Sequence, residues 1–452
     1  MRALTSLVFA CSVVAACGPG HRGDDDGNGS GSGSGSGSDG PVVATLTGKV
    51  WAPKWAPGDV PPGQEIPIFG ATIYVTDTRP QPIPQQTYCE PCVDTPQGSV
   101  ASKHDGSFEL PLTGTGHYWL VIQKGPFRLE QEIDVAKGTT ALAPQNTTLP
   151  SKHDPAVGAW IPKIAIVRGN YDAIEDILGK IGFGSMSGNK LGTPDGEITF
   201  YDWGGTGNTS AEYLVQNISE LRKYHIVFFP CSTSVNDTVM NDQNNLKNIR
   251  QFVADGGKLY VTDWSGEVGD RAFPPQIQLG SSGFGSTDTV GTYDPIALTG
   301  AITTAGDADG DLYDSEDGKA VDPDLSMWLG LQTGPSESNP VPSLYNPNAF
   351  QVHHNWNWIT KLNSVMKGTD DMGQPVYDDP KGWVTASDTS GHGAKPVAVT
   401  YEPTGCGKVL YSTFQTSGAS ASESHMGLMA QERVLLFLIM EISACTQNPV
   451  IL

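Results

Sequence analysis

Three residues of the chain stand where side-chain chemistry would need them. They are Cys231 in Pro230-Cys231-Ser232, Asp263 in Thr262-Asp263-Trp264, and Asp172 at the start of a helical pattern. A thiol beside carboxylates offers nucleophilic chemistry, provided that a base removes its proton and its surroundings hold the thiolate. No motif sets a histidine next to any of the three. Such chemistry would need folding to bring His353, His354 or His392 within hydrogen-bond reach. Without one, Cys231 reads as a buried, inert thiol or a disulfide partner. A second cluster, Asp307-Ala308-Asp309-Gly310-Asp311, supplies carboxylates of the kind that a hard cation such as Ca²⁺ takes. Its glycine is fourth, not sixth, and Gly318 stands where an EF-hand has its bidentate Glu, so a solvated acidic loop is the competing reading. Gln351 to Trp358 carries His353 and His354 with two tryptophans. Adjacent histidines point apart on a strand, and the tryptophans suit packing onto a sheet more than stacking on a sugar.

These residues need elements to position them. His225 to Phe229 is a short apolar run, as expected of a strand buried on both faces. Leu246, Ile249, Phe252 and Val253 recur at helical spacing, and Gly256-Gly257 stands where a helix end wants positive φ. Leu259 to Val261 makes a second buried strand. Strand, helix, strand with short links is a βαβ unit, and ligands of such sheets lie beyond the carboxyl ends of the strands. That places Cys231 and Asp263 at the edge where chemistry is expected. Upstream, Lys163 to Val167, a helix through Ile174, Ile177, Leu178 and Ile181, Glu197 to Trp203, and a helix through Leu214, Ile218 and Leu221 extend the alternation. A long loop-rich interruption, about 265–395, follows. The pattern resumes with Val397 to Tyr401 and Lys408 to Phe414 and closes with a helix from about Leu428 to Ser443. The whole of 158–452 is expected to be one doubly wound α/β domain of three layers.

Residues 42–150 read differently. Ala44 to Val50, Ala71 to Thr76, Ser107 to Leu112, His117 to Gln123 and Leu129 to Val135 are short and partly alternating, parted by Gly, Pro and Asp turns, which predicts a β-sandwich. A polar joint spans 151–160. Residues 1–16 read as a secretory signal with an apolar stretch from Leu7, ending Val14-Ala15-Ala16-Cys17. Residues 17–41, rich in Gly-Ser repeats, make a flexible tether. Cys89-Glu90-Pro91-Cys92 sits in a long loop of an exported chain, where a local Cys89–Cys92 disulfide is expected over a metal or redox role. Cys406 and Cys445 are then expected to pair, which leaves Cys231 odd.

Three resemblances follow. Val14-Ala15-Ala16-Cys17 resembles the bacterial lipobox, which implies acylation of Cys17 and, with Gly18 next, an outer-membrane lipoprotein. Gly70 to Val75, Asp105-Gly106-Ser107-Phe108 and Tyr118 to Val121 resemble the carboxypeptidase regulatory-like domain, a prealbumin-like sandwich of accessory role. Ile164 to Val167, Val227-Phe228-Phe229, Asp255 to Val261 and Gly407 to Tyr411 resemble the class I glutamine amidotransferase-like fold, in its trehalose-utilisation-like branch. That family sets a nucleophilic cysteine within Gly-x-Cys-x-Gly on the turn after the Gly-Gly strand. The matching turn here holds Asp263. Gln415 and Thr416 follow the Lys408 strand where a histidine would be required, so the resemblance implies a vacated catalytic site.

Charge narrows the partners. With 27 basic and 49 acidic residues and a net charge of −22, the chain has no footprint for displacing counterions from phosphates, which excludes nucleic acid. No window approaches the roughly 18 or more apolar residues of a spanning helix. The expectation is a non-catalytic lipoprotein of the cell envelope, periplasmic or surface-facing, held to the membrane by its N-terminal lipid and binding an envelope protein or a carbohydrate. The alternatives are an envelope hydrolase or carbohydrate-processing enzyme using Cys231 or a pocket around Asp263, and a calcium-dependent adhesin.

Overall fold

Alternating burial builds the first part of the chain. In Ser107–Leu112 the side chains of Phe108, Leu110 and Leu112 are buried while Glu109 and Pro111 face out, the two-residue period of a half-buried strand. The computed structural model describes residues 40–90, 96–194, 196–232, 237–280, 291–301, 316–336, 339–352, 357–370, 372–387, 393–415 and 427–444. Ser107–Leu112, Ala44–Lys49 and Gly138–Ala141 form one sheet in that order. A second sheet runs Val100–Ala101, Thr72–Thr76, Gly116–Lys124, Phe127–Val135 and Ala159–Trp160. The inner residues of both, among them Leu46, Ile73, Leu110 and Ile122, join one core cluster. The joint expected over 151–160 is shorter than predicted: Ala159 and Trp160 pair with Leu129 and Arg128 as the edge strand of the second sheet.

A nine-stranded sheet organises the rest. Its order is Ile198–Tyr201, Ile164–Val167, Ile226–Phe229, Lys258–Thr262, Lys408–Ser412, Ala394–Tyr401, Lys381–Ser387, Glu316–Ala320 and Phe350–Val352. The first five strands are parallel to their neighbours. All four residues of Ile164–Val167 and of Ile226–Phe229 are buried, because helices cover both faces. Ile164, Ile166, Ile226 and Phe228 share a cluster with Ile174 and Ile177 of the helix Ile174–Lys180 and with the closing helix Ala430–Ile442. Ala165, Val167, Val227 and Phe229 share another with Ile249 and Phe252 of the helix Gln243–Ala254 and with Val268 of Gly266–Ala272. The helix Gln243–Ala254 ends as its sequence predicts. Gly256 takes φ 104°, and the N–H groups of Gly256 and Gly257 donate to the carbonyls of Val253 and Phe252 at 3.0 and 2.9 Å, the pairing of a Schellman motif.

Three expectations need correction. The interruption is not loop-rich where it is described. It holds a helix, Pro323–Leu329, and many short strands, of which Glu316–Ala320, Phe350–Val352 and Lys381–Ser387 extend the main sheet. Strand Ala394–Tyr401 does not resume the parallel pattern but runs antiparallel to Lys408–Ser412. The six intervening residues are too few for a crossover, which takes a dozen or more. The third correction concerns the disulfides. Cys89 is bonded to Cys406, with Cα atoms 5.6 Å apart, and not within its own loop; Cys92 and Cys445 lie outside the described residues.

The physical reason is the path of the loop before Cys89, which lies across the amino edge of the parallel strands. Thr87 donates from its N–H to Arg222 O at 2.8 Å and from its hydroxyl to Tyr224 O at 2.6 Å. His225 accepts the Lys163 N–H on Nδ1 at 2.8 Å, which leaves Nε2 to donate to Pro84 O at 2.7 Å. Burial pushes this imidazole down to about 4, so it stays neutral in that tautomer. The sandwich and the α/β part also share a core. Phe127 and Phe183 lie 6.1 Å apart between ring centres. Trp55 Nε1 donates to Lys180 O at 3.1 Å and Trp328 Nε1 to Pro67 O at 2.8 Å. The described residues, from Gly40 onward, belong to a single compact unit.

Candidate functional site

The order of the five parallel strands reverses at Ile164–Val167, whose neighbours are the second and third strands of the series. At such a reversal the following loops run to opposite sides of the sheet and leave a crevice at its carboxyl edge, where ligands bind in open α/β sheets. The loops that flank it here are 168–172 and 230–232. The next strand along delivers residues 262–265, and Lys408–Ser412 delivers 413–415. Folding therefore gathers Asp172, Cys231 and Asp263 into one cluster.

The cluster is buried. Cys231, Thr262 and Asp263 are 0% exposed, Gln415 1% and Asp172 2%. Thr262 sits at its centre: its hydroxyl accepts the Cys231 N–H at 2.8 Å and donates to Asp172 Oδ2 at 2.7 Å. The Cys231 thiol donates to Asp263 Oδ2 at 3.4 Å. Gln415 Nε2 reaches the same oxygen at 3.4 Å and the sulfur at 3.6 Å. Ser265 donates to Pro230 O at 2.7 Å, tying the two loops together. Asp263 takes φ 47°, a left-handed conformation that few residues other than Gly, Asn and Asp adopt. It opens the short 3₁₀ turn Asp263–Ser265, which joins the strand Lys258–Thr262 to Gly266–Ala272. That is a sharp strand-to-helix turn with a carboxylate at its tip.

Electrostatics set what the thiol can do. Burial first, and then the Asp263 charge, push Cys231 far above the ordinary thiol range, and Asp172 adds to the shift while the Trp264 backbone N–H opposes it. A thiol so placed stays protonated, and a protonated thiol is neither nucleophile nor metal ligand. Glu175 lies on the first turn of the neighbouring helix. Burial pushes it up to about 7, with Asp176 and Asp172 adding and Arg168 opposing. Arg168 itself is half-exposed at the rim and grips Asp202 through two bonds of 2.8 and 2.6 Å.

The two loops that flank the crevice meet. The Tyr171 N–H donates to Cys231 O at 3.2 Å, and a Cβ on Gly169 would meet that same oxygen at 2.2 Å. Glycine is required there because the two loops touch backbone to backbone. Above them the Tyr171 ring stands edge-on to Trp264, 5.9 Å between centres at 82°.

Of the other predicted site residues, Cys17, Asp307, Asp309, Asp311, His353, His354 and His392 lie outside the described residues. Among the described residues no group of three His, Cys, Asp or Glu is disposed to hold a metal ion, and no helix is long and apolar enough to cross a membrane. Sequence reasoning named Gln415 only as the residue where a base would stand, and did not name Thr262 as the link between Cys231 and Asp172. It also passed over Asn357, whose Nδ2 donates to Asp263 O at 2.7 Å. A polar residue held between two tryptophans was the available signal.

No family model matches the chain. No curated protein matches it either. Among solved structures, a cytoplasmic protein of Salmonella typhimurium is similar at a TM-score of 0.28 and 13% identity, over 62% of this chain and 98% of that one. A cold-adapted β-galactosidase of Rahnella sp. R3 follows at a TM-score of 0.24 and 14% identity, over 64% of this chain and 32% of that one. Likeness at these scores carries no argument about fold or function.

Proposed function

We propose that the chain is a membrane-anchored lipoprotein of the cell envelope whose α/β part is an amidotransferase-like domain that binds and does not catalyse. The prealbumin-like sandwich serves as its accessory domain. One observation carries the non-catalytic half: Asp263 occupies the strained turn that would hold a nucleophile, and the only thiol beside it among the described residues, Cys231, is buried, protonated and roofed by loop 168–172. A thiolate mechanism needs a base and access to substrate, and the described cluster offers an amide, Gln415, in the place of the base. The strand order second, first, third, fourth, fifth supports a doubly wound, flavodoxin-like core of the kind on which such domains are built. The anchoring half rests on Val14-Ala15-Ala16-Cys17 and the Gly-Ser tether.

Two measurements test the reading separately. Cys17→Ser in the full-length precursor, expressed in a Gram-negative host, should move the protein from the detergent phase to the aqueous phase in phase partition. Unchanged partition would remove the anchor from the reading. Cys231→Ala should leave every amide- and ester-hydrolysis rate at the background of the parent. A rate present in the parent and abolished in the variant would make the domain an enzyme.

A further inference from the structure

We infer that Lys258 is a modification site whose amine captures a one-carbon aldehyde from a small cavity at the amino edge of the parallel strands. The inference goes beyond the reading above, since it concerns the edge of the sheet opposite to the Asp263 cluster.

The cavity and the setting of the amine carry it together. Lys258 opens the strand Lys258–Thr262 and is 7% exposed. A lysine so buried ordinarily meets a carboxylate. Among the described residues this one has no ion pair, and its Nζ has a single acceptor, Cys406 O, at the long distance of 3.4 Å. Beside it the loop that ends at Glu90 leaves a cavity of about 10 Å³, lined in part by Tyr88, Glu90, Pro126, His225, Gly256 and Lys258. The loop is seated firmly. A Cβ on Gly256 would strike the Tyr88 carbonyl oxygen, and the bond from Cys89 ties the loop to Cys406, the residue that Lys258 touches. The cavity is therefore a fixed feature, with room for one guest about the size of a water molecule.

The surroundings free the nitrogen lone pair. Burial first, and then the Lys408 charge, lower Lys258 to about 7, against Glu90 and Glu402. His225 beside it is neutral, and the Tyr88 hydroxyl is given to Glu90 Oε2 at 2.9 Å. At pH 7 about half of the molecules then hold a neutral amine, against roughly one in 2,500 for a lysine of ordinary basicity. Size and charge select what it takes. Carbon dioxide would leave an anionic carbamate facing Glu90, and an acyl donor with its leaving group exceeds the cavity. Formaldehyde has two heavy atoms and gives neutral products. The Nζ lone pair bonds to the carbonyl carbon, and the oxygen gains a proton as the nitrogen loses one. The carbinolamine then expels its hydroxyl with the remaining N–H proton as water, which leaves a C=N bond and needs no oxidant or reductant.

The test is reductive methylation of the full chain with isotope-labelled formaldehyde and cyanoborohydride, read lysine by lysine in a peptide map. At pH 7 Lys258 should react at least about tenfold faster than the exposed Lys103 and Lys361, even after discounting the lower nucleophilicity that accompanies lower basicity. Its rate should level off above about pH 7, while theirs climb toward about pH 10. In denaturant the preference should vanish. Benzaldehyde, too large for the cavity, should spare Lys258 in the native protein. Reaction of Lys258 no faster than that of the exposed lysines, or a rate that climbs with theirs, overturns the inference. Equal native labelling of Lys258 by both aldehydes overturns it by removing the cavity as the way in. Each result is read on Lys258 itself and none bears on Cys231, so this inference and the non-catalytic reading fail by different experiments.

Discussion

Removing the Cys89–Cys406 bond should loosen the molecule as a whole. The bridge spans 317 residues of sequence, and the chain-entropy relation gives about 6 kcal/mol at 25 °C for closing a loop of that length. Measured bridges usually deliver less, about 2–4 kcal/mol, because reduced chains retain structure. The expected cost of Cys406→Ala therefore lies between about 2 and 6 kcal/mol. With an unfolding entropy of about 2.1 cal/mol/K per residue over roughly 400 cooperative residues, that is a fall in melting temperature of about 2–7 °C. The assay is calorimetry of the oxidised wild type, the wild type after reduction, and Cys406→Ala, beside a non-reducing peptide map. Cys406→Ala leaves Cys89 free to pair with Cys92, so Cys89→Ser with Cys406→Ala is the cleaner comparison. Two results would refute the reasoning: a map that joins Cys89 to Cys92 in the wild type, or a double variant that melts within about 1 °C of the parent.

Four further outcomes are expected. Gly169→Ala drives a Cβ toward the Cys231 carbonyl oxygen and should cost about 1–3 kcal/mol in urea unfolding; an unchanged midpoint would mean that loop 168–172 does not roof Cys231. In the folded protein at pH 8 the Cys231 peptide should stay unlabelled by iodoacetamide and become labelled only in denaturant, since its thiol is buried and protonated; rapid native labelling, read by mass spectrometry, would contradict this. Asp378 is pushed up to about 7, chiefly by burial and further by Glu402 and Asp379, against the Glu402 backbone N–H and Lys367. Its folded value lies above its unfolded one, so between about pH 4 and pH 7 the native state binds more protons and stability falls as pH rises. Asp378→Asn keeps an acceptor for the Glu402 N–H, 2.8 Å away, and should flatten that fall. Lys258 gives the opposite slope. Burial, with Lys408, lowers it to about 7, so stability should climb from about pH 7 to pH 10, and Lys258→Met should remove the climb.

Much of this architecture was legible in local patterning. The strands Ile164–Val167, Ile226–Phe229 and Lys258–Thr262 and the helix between the last two announce themselves through apolar runs and the Gly256-Gly257 stop. Strand topology sets the Cys231 and Asp263 turns at one edge and allows Asp172 to lie beside them. The interruption was illegible because its strands are short and broken by Gly and Pro, as in Asn339–Leu344, and take their stability from neighbours remote in sequence. The cysteine pairing was illegible for a related reason. Local spacing favoured Cys89 with Cys92, while the partner was set by where Pro84 and Thr87 dock on the far sheet. Gln415 and Asn357 escaped because an isolated amide carries no signature of its role until its partner is known.

The closing helix is made after every segment that it is packed against here, which has a consequence for how the molecule is assembled. Arg433 reaches back from it to donate to Gln64 O at 3.3 Å and to Thr333 O at 2.8 Å, and Lys124 meets Glu441 at 2.5 Å. The ring of Phe437 lies parallel to that of Phe69, 6.2 Å away. Early segments therefore emerge from the ribosome with their apolar faces unmatched and must wait for this helix to arrive. A chain stopped before residue 430 would be left with an open wound along its first sheets, and clumping would be its expected fate.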